Sequence, residues 1–514
     1  MTMKKQLLHW AYLLVAGLAL GACGGDDAED TPTPPTPSTP TGKWSVTIKA
    51  GVDETRGLSL SGTTLSVNWS TSETVYAYYG GQKVGELHPT ANSNTASVTL
   101  QGELESANYS TGQSLTLKFP RETNEYTGQA GTIEDIAAKY DYLEATVSIS
   151  TIDATSHTMT VNEAANFTSK QAIARLKFDR DLASGDVITI TNATNTADPV
   201  TLATVTLASD VLAAADGYVY VALPLTDTGT SYNLKFTVAR SEKDAYEGTL
   251  ANKTLQNNKF YGASVKLYAS TLEYATLADI GRVIGADGKL YDNATSATDA
   301  STQAVAVIAY VGAAGSADAS STTYRGLAIA MEYCNKDNTG TGNWNGTGST
   351  NPWCNKTVQC NTEQNTDISI VRNWKDGISK TTSLVENTDH NHWAAKAAKN
   401  YNVSVPSTGT SGWFLPSIGQ WQLIIKGLVT KQDNLSALYD EPLNYYPNSD
   451  NKMKSGYFNS ILTAAGAALL QTSGHWSCSE YNNSSAWRVM FQSGYANQVE
   501  KNNNNNYVRA VLAF

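Results

Sequence analysis

Trp44-Ser45-Val46-Thr47-Ile48-Lys49-Ala50 alternates apolar and polar residues without a break. A period of two residues is that of a strand with one buried face and one wet face. Thr64 to Trp69, Thr74 to Tyr79 and Ala96 to Leu100 repeat the pattern, with Gly, Asn and Ser turns between them. Short strands at regular spacing predict a β-sandwich over residues 44–160. A second set of strands follows over 161–268, at Ala174 to Phe178, Val187 to Ile190, Tyr218 to Leu223 and Leu234 to Val238. One short helix is expected where Thr132 can cap Ile133-Glu134-Asp135, with Ile136-Ala137-Ala138 as its apolar face.

Toward the N-terminus, Lys4 and Lys5 precede an apolar run from Leu7 to Leu20. A helix that spans a bilayer needs roughly 20 apolar residues, so this run reads as the core of a signal peptide. It closes on Leu20-Gly21-Ala22-Cys23, which resembles a bacterial lipobox and implies a lipidated Cys23 at the end of residues 1–23. Residues 24–43 are a linker. Gly24-Gly25-Asp26-Asp27 resembles the acidic stretch that carries Bacteroidetes lipoproteins to the outer face of the outer membrane, and Thr31 to Thr41 repeats Thr and Pro, which keeps a backbone extended.

Past Leu267 the character changes to α+β, over residues 269–514. Strands are expected at Val305 to Val311, Gly326 to Met331, Trp487 to Phe491 and Tyr507 to Phe514. Helices are expected at Asp389 to Ala398, after a Ser417-to-Gln420 capping box, and from Ser460 to Leu470. A long Asn-, Thr-, Gly- and Trp-rich loop runs up to about Ser369. Cys334, Cys354, Cys360 and Cys478 match no paired zinc spacing. In an exported chain four such cysteines make disulfides more readily than a metal site, with three pairings open and free buried thiols as the alternative. His390 and His392 stand together but read as cap or surface residues, and Asn335 to Gly340 lacks the glutamate that a calcium loop needs.

A net charge of -11 without any Lys and Arg cluster argues against nucleic acid, whose binding rests on counterion release at phosphates. Neither a nucleophile elbow, a zinc-protease helix nor a phosphate-binding loop occurs, so the chain reads as no enzyme and needs no cofactor.

The order of segments resembles the fimbrillin-like family of Bacteroidetes pili. Glu54-Thr55-Arg56-Gly57, Leu65 to Trp69, Val75 to Tyr78 and Ala130 to Tyr142 carry the likeness in the first domain, and Ala174 to Phe178, Gly185 to Ile190 and Thr254 to Tyr261 in the second. That resemblance implies two tandem β-sandwiches, cleavage between Arg56 and Gly57 by an Arg-specific protease, loss of the first strand with its lipid, and polymerisation with other pilin subunits by strand exchange. Residues 269–514 resemble C-type-lectin-like modules through Gly412 to Ser417, Trp421, His475 to Glu480, Trp487 and Val508 to Val511. The pair implies a tip or accessory subunit. Trp476, Glu480, Tyr481, Asn482, Asn483 and Trp487 have the aromatic faces, amides and carboxylate that a glycan or protein ligand would use, against the alternative that the tryptophans are core and the asparagines form turns. The rival readings are a non-polymerising glycan-binding lipoprotein of the outer membrane and a sulfatase-modifying type of enzyme, which would need a redox-active cysteine pair.

Overall fold

A computed structural model describes residues 42–52, 60–61, 64–65, 69–92, 97–213, 217–297, 303–334, 353–354, 359–360, 363–406, 408–446 and 452–514. Cys23, Arg56, Gly57, the 24–41 linker and Asn335 to Gly340 lie outside them, as do residues 66–68 of the expected strand Thr64 to Trp69. The described chain is mainly β. Among the described residues no helix is long and apolar enough to cross a membrane.

The first unit comprises β1 (Trp44–Val52), β2 (Val75–Tyr79), β3 (Gln82–Pro89), β4 (Ser97–Leu104), β5 (Ser114–Phe119), β6 (Leu143–Asp153), β7 (Thr158–Val161) and β8 (Ala165–Ser169). β1, β5 and the first part of β6 follow the two-residue period of their sequence, with alternate side chains inside. The expected sandwich closes on itself. Its ladder runs β8-β1-β4-β3-β2-β5-β6-β7, and β6 also pairs β8 while β1 also pairs β7. Ala165 to Ser169, expected to open the second unit, instead completes the first, because β1 and β6 each have an end left to pair. This unit has a core of its own, in which Trp69 packs its ring on Phe119 and Phe167.

Two sheets form the second unit. One has the order β12-β9-β15, with β9 (Ala172–Phe178), β12 (Val219–Leu223) and β15 (Phe260–Val265). The other runs β11-β10-β13-β14, with β10 (Val187–Asn192), β11 (Val200–Thr206), β13 (Thr230–Arg240) and β14 (Lys243–Leu255), and ends on Tyr268–Ala269. Phe178 and Phe236 meet edge to face between them. The segment after β5 clasps this unit. Buried Gln129 donates to and accepts from the backbone of Ala222, and the short helix Ile133–Asp135 forms under its Thr132 cap.

Residues from about Thr271 build the C-terminal unit, which shares one continuous core with the second. Buried Arg180 donates to the Leu267 carbonyl and to Asp279 across that junction. A sheet of β16 (Val283–Gly285), β17 (Ala304–Val311), β18 (Gly326–Ala330) and the terminal β22 (Val511–Ala513) stands beside a smaller one of β19 (Gly474–Glu480), β20 (Ser485–Met490) and β21 (Tyr495–Glu500).

Helices α1 (Gly377–Glu386), α2 (Trp393–Lys399), α3 (Ile418–Gln432) and α4 (Ser455–Ala465) cover them. The capping box at Ser417 and Gln420 forms. α2 begins four residues later than expected, because Asn387 to Asn391 make a turn, and α4 stops short of Leu470 at Gly466, which takes the left-handed conformation that ends helices. The helix α3 lies so close to β17 that a Cβ on Gly427 would overlap the Ala309 carbonyl. Gly427→Ala is therefore expected to destabilise this unit by about 1–3 kcal/mol through overpacking, read as a lower urea midpoint.

Candidate functional site

The first strand, Trp44–Val52, closes its unit. Trp44, Val46, Ile48 and Ala50 point inward and are at most 2% exposed, while Ser45, Thr47 and Lys49 face water. On one side β1 pairs antiparallel with β4 from Trp44 opposite Leu104 to Gly51 opposite Ser97. Its other side pairs parallel with two strands in turn, Ser45 and Val46 with Thr158 and Met159, then Ala50 to Val52 with Ala165 to Phe167. At the strand's start Trp44 packs against the rings of Tyr109 and His157. Taking β1 out would expose two rows of backbone donors and acceptors and a slot with four side-chain positions. Such a slot is a template for another extended strand.

The other end of the chain is bonded on both sides. β22 pairs β18 through Leu327 opposite Ala513, and Val511 bridges Phe414. The Phe514 carbonyl accepts from the Arg325 and Gly326 amides, and a Cβ on Gly326 would collide with the Phe514 ring.

The stretch proposed from sequence as a ligand surface falls mostly in the core, which corrects that expectation. Trp476, Glu480 and Trp487 are fully buried. The Trp476 carbonyl accepts from the Trp421 indole, and the Trp487 indole donates to the Asn365 carbonyl. Glu480 forms a buried ion pair with Lys501 and accepts from the Cys360 amide. None of the three offers a face or an oxygen to a ligand. Tyr481 and Asn482 are half-buried and Asn483 exposed. Asn482 holds the β19–β20 turn through the Ser484 and Ser485 amides, and Asn483 accepts from Gln364. Within the Asn502 to Asn506 run, Asn506 is buried and accepts from Arg488.

The structure joins no two of Cys334, Cys354, Cys360 and Cys478 in a disulfide, which corrects the expectation of disulfides among them. Cys334 and Cys478 are each enclosed in the core, and burial pushes both thiols up, that of Cys334 to about 12. Cys354 and Cys360 approach each other with 3.8 Å between their sulfurs.

Sequence reading also passed over His475, which is fully buried, with Nε2 2.7 Å from the Tyr333 hydroxyl and Nδ1 3.0 Å from the Ser473 carbonyl. Burial lowers its pKa from 6.5 to about 3. The unfolded imidazole takes a proton below its usual pKa of about 6.5 and the folded one does not, so stability is complete above that pH and falls as the pH drops toward 3. Urea midpoints at pH 7 and pH 5 should therefore differ in the native chain, and by less in His475→Gln.

A cleft of about 1170 Å³ opens where β13 and β14 meet the C-terminal unit. Asp244, Glu247, Lys289, Tyr291 and Arg325 line it.

The sequence matches no known family model and no curated protein. Among solved structures it is similar to a fimbrial protein from Bacteroides ovatus, at 12% identity and a TM-score of 0.29, over 92% of this chain and 99% of that one. It is also similar to the C-terminally truncated tip fimbrial protein of Porphyromonas gingivalis, at 10% identity and a TM-score of 0.20, over 44% and 95%. A fimbrial assembly protein from Parabacteroides distasonis matches at 10% identity and a TM-score of 0.20, over 43% and 90%.

Proposed function

We propose that this chain is a surface fimbrial subunit, at the tip or in an accessory position, that is lipidated at Cys23, processed between Arg56 and Gly57, and adhesive through its C-terminal unit. The observation that carries the reading is the seam of β1. Four alternate anchors, one continuous antiparallel ladder and a second, parallel edge paired at both ends of the strand support the reading that β1 can be replaced by an extended segment with the same pattern. Arg56 stands four residues beyond Val52, so a cut there releases the strand together with the lipid. Other pilin subunits are then the partners that refill the slot. The pairing of β22 within its own sheet supports a terminal place in the fibre, because residues 511–513 are not a free donor strand. Its ligand would be a glycan or protein on a host cell or neighbouring bacterium.

The second reading, an outer-membrane lipoprotein that binds glycan without polymerising, is favoured by the cleft, where Tyr291 stands beside carboxylates and cationic groups. Intact mass and N-terminal sequencing of protein from cells of the native host separate the two. A terminus at Gly57 in fibre fractions supports the fimbrial subunit; a lipidated Cys23 terminus throughout, with no other pilin co-purifying, supports the anchored binding protein.

A further inference from the structure

Two stretches of the C-terminal unit, one carrying Cys354 and Cys360 and the other His392, meet at one point. Cys354 is held by its amide to the Lys501 carbonyl, Cys360 by its amide to the Glu480 carboxylate, and His392 by its place at the start of α2. The two sulfurs and a nitrogen of His392 all lie within 4.8 Å of one another. His392 stands at the N-cap of α2, one of the places expected of it, but its side chain makes no cap hydrogen bond and is fully buried, and among the described residues neither ring nitrogen has a hydrogen-bond partner. A buried imidazole without any partner forfeits its hydration for nothing in return, unless something is bound to it.

From this convergence we infer that Cys354, Cys360 and His392 form a site for a zinc ion, bound through two thiolates and one imidazole nitrogen. At the usual zinc–sulfur bond of about 2.3 Å, two thiolates of a tetrahedral ion stand about 3.8 Å apart. The observed sulfur separation is 3.8 Å. A disulfide would need the sulfurs to close to about 2.05 Å and would leave His392 without a partner, so it accounts for one observation where the ion accounts for both. Thiolates and imidazole are ligands that zinc takes and calcium or magnesium do not. Binding releases the two thiol protons to solvent and forms two Zn–S bonds and one Zn–N bond, with the fourth position left to water or another exchangeable donor.

The surroundings suit that charge change. Two thiolates neutralise the ion, and the adjacent Glu480–Lys501 pair is neutral by itself. Lys501 Nζ lies 4.0 Å from the Cys360 sulfur, where its charge favours the thiolate.

The test is metal uptake by the reduced, untagged full-length chain. After chelation and buffer exchange, one equivalent of zinc per chain should be retained and should protect Cys354 and Cys360 from alkylation. Cobalt should give the thiolate charge-transfer and tetrahedral ligand-field bands of a two-sulfur site. His392→Gln should weaken zinc binding by at least the roughly 10- to 100-fold that loss of an outer-shell partner costs. Cys354→Ser should abolish the charge-transfer band of one thiolate. Should these variants misfold, cobalt titration of the native chain still decides. Absence of stoichiometric uptake, a six-coordinate cobalt spectrum, or uptake that leaves both cysteines open to alkylation overturns the inference.

Discussion

Ile48→Asp unfolds the first unit and leaves the rest of the chain folded. Ile48 is fully buried at the centre of β1, opposite Leu100 in the ladder with β4. Replacing it removes roughly 1.5–3 kcal/mol of apolar burial and places an unpaired carboxylate in the core, for a loss on the order of 5 kcal/mol. The first unit has a core separate from the one shared by the other two, so calorimetry should show one transition displaced and the other in place. Thr47→Asp, on the wet face next door, should shift that transition by less than about 0.5 kcal/mol.

The same seam predicts rescue in trans. A chain that begins at Gly57 should have a weakened first transition, and a peptide of residues 44–52 should restore it, whereas the peptide carrying Ile48→Asp should not. Restoration by both peptides, or by neither, would remove the seam from the argument for strand exchange.

A second large effect is expected at Glu480→Gln. The substitution leaves the buried Lys501 ammonium without its counter-charge, which costs about 3–5 kcal/mol. The double variant Glu480→Leu with Lys501→Met should recover much of that loss, because two apolar groups avoid the desolvation of two ions. Urea denaturation of the C-terminal transition measures both. The experiment also decides what Glu480 is for. A carboxylate that serves a ligand would lower affinity when neutralised and leave folding unchanged, and the burial of Glu480 calls for the opposite result.

How much of this was legible depends on how local each feature is. The alternation in Trp44 to Ala50, the Ser417-to-Gln420 capping box and the apolar runs Val305 to Val311 and Gly326 to Met331 all became the elements their patterns announced. The helix α1 did not announce itself, because its buried face includes Lys380 and Thr381 and so blurs the helical period. Trp476, Glu480 and Trp487 were misread for a related reason. Aromatic and polar residues in one short stretch suit a ligand surface and a hydrogen-bonded core equally well, and only the arrival of Trp421, Lys501 and Asn365 from elsewhere in the chain assigns them to the core.

By itself, the sequence determined the mainly β character and the presence of a first strand with one buried face, since each rests on neighbours within a few residues. Tertiary structure alone decided that β1 closes a ring, that Ala165 to Ser169 belong to that ring, and that Cys354, Cys360 and His392 meet. Periodicity states which face of a strand is apolar but not which strand will lie beside it. Pairing and convergence are settled by the competition of distant segments for the same buried space, a quantity that no short stretch of residues contains.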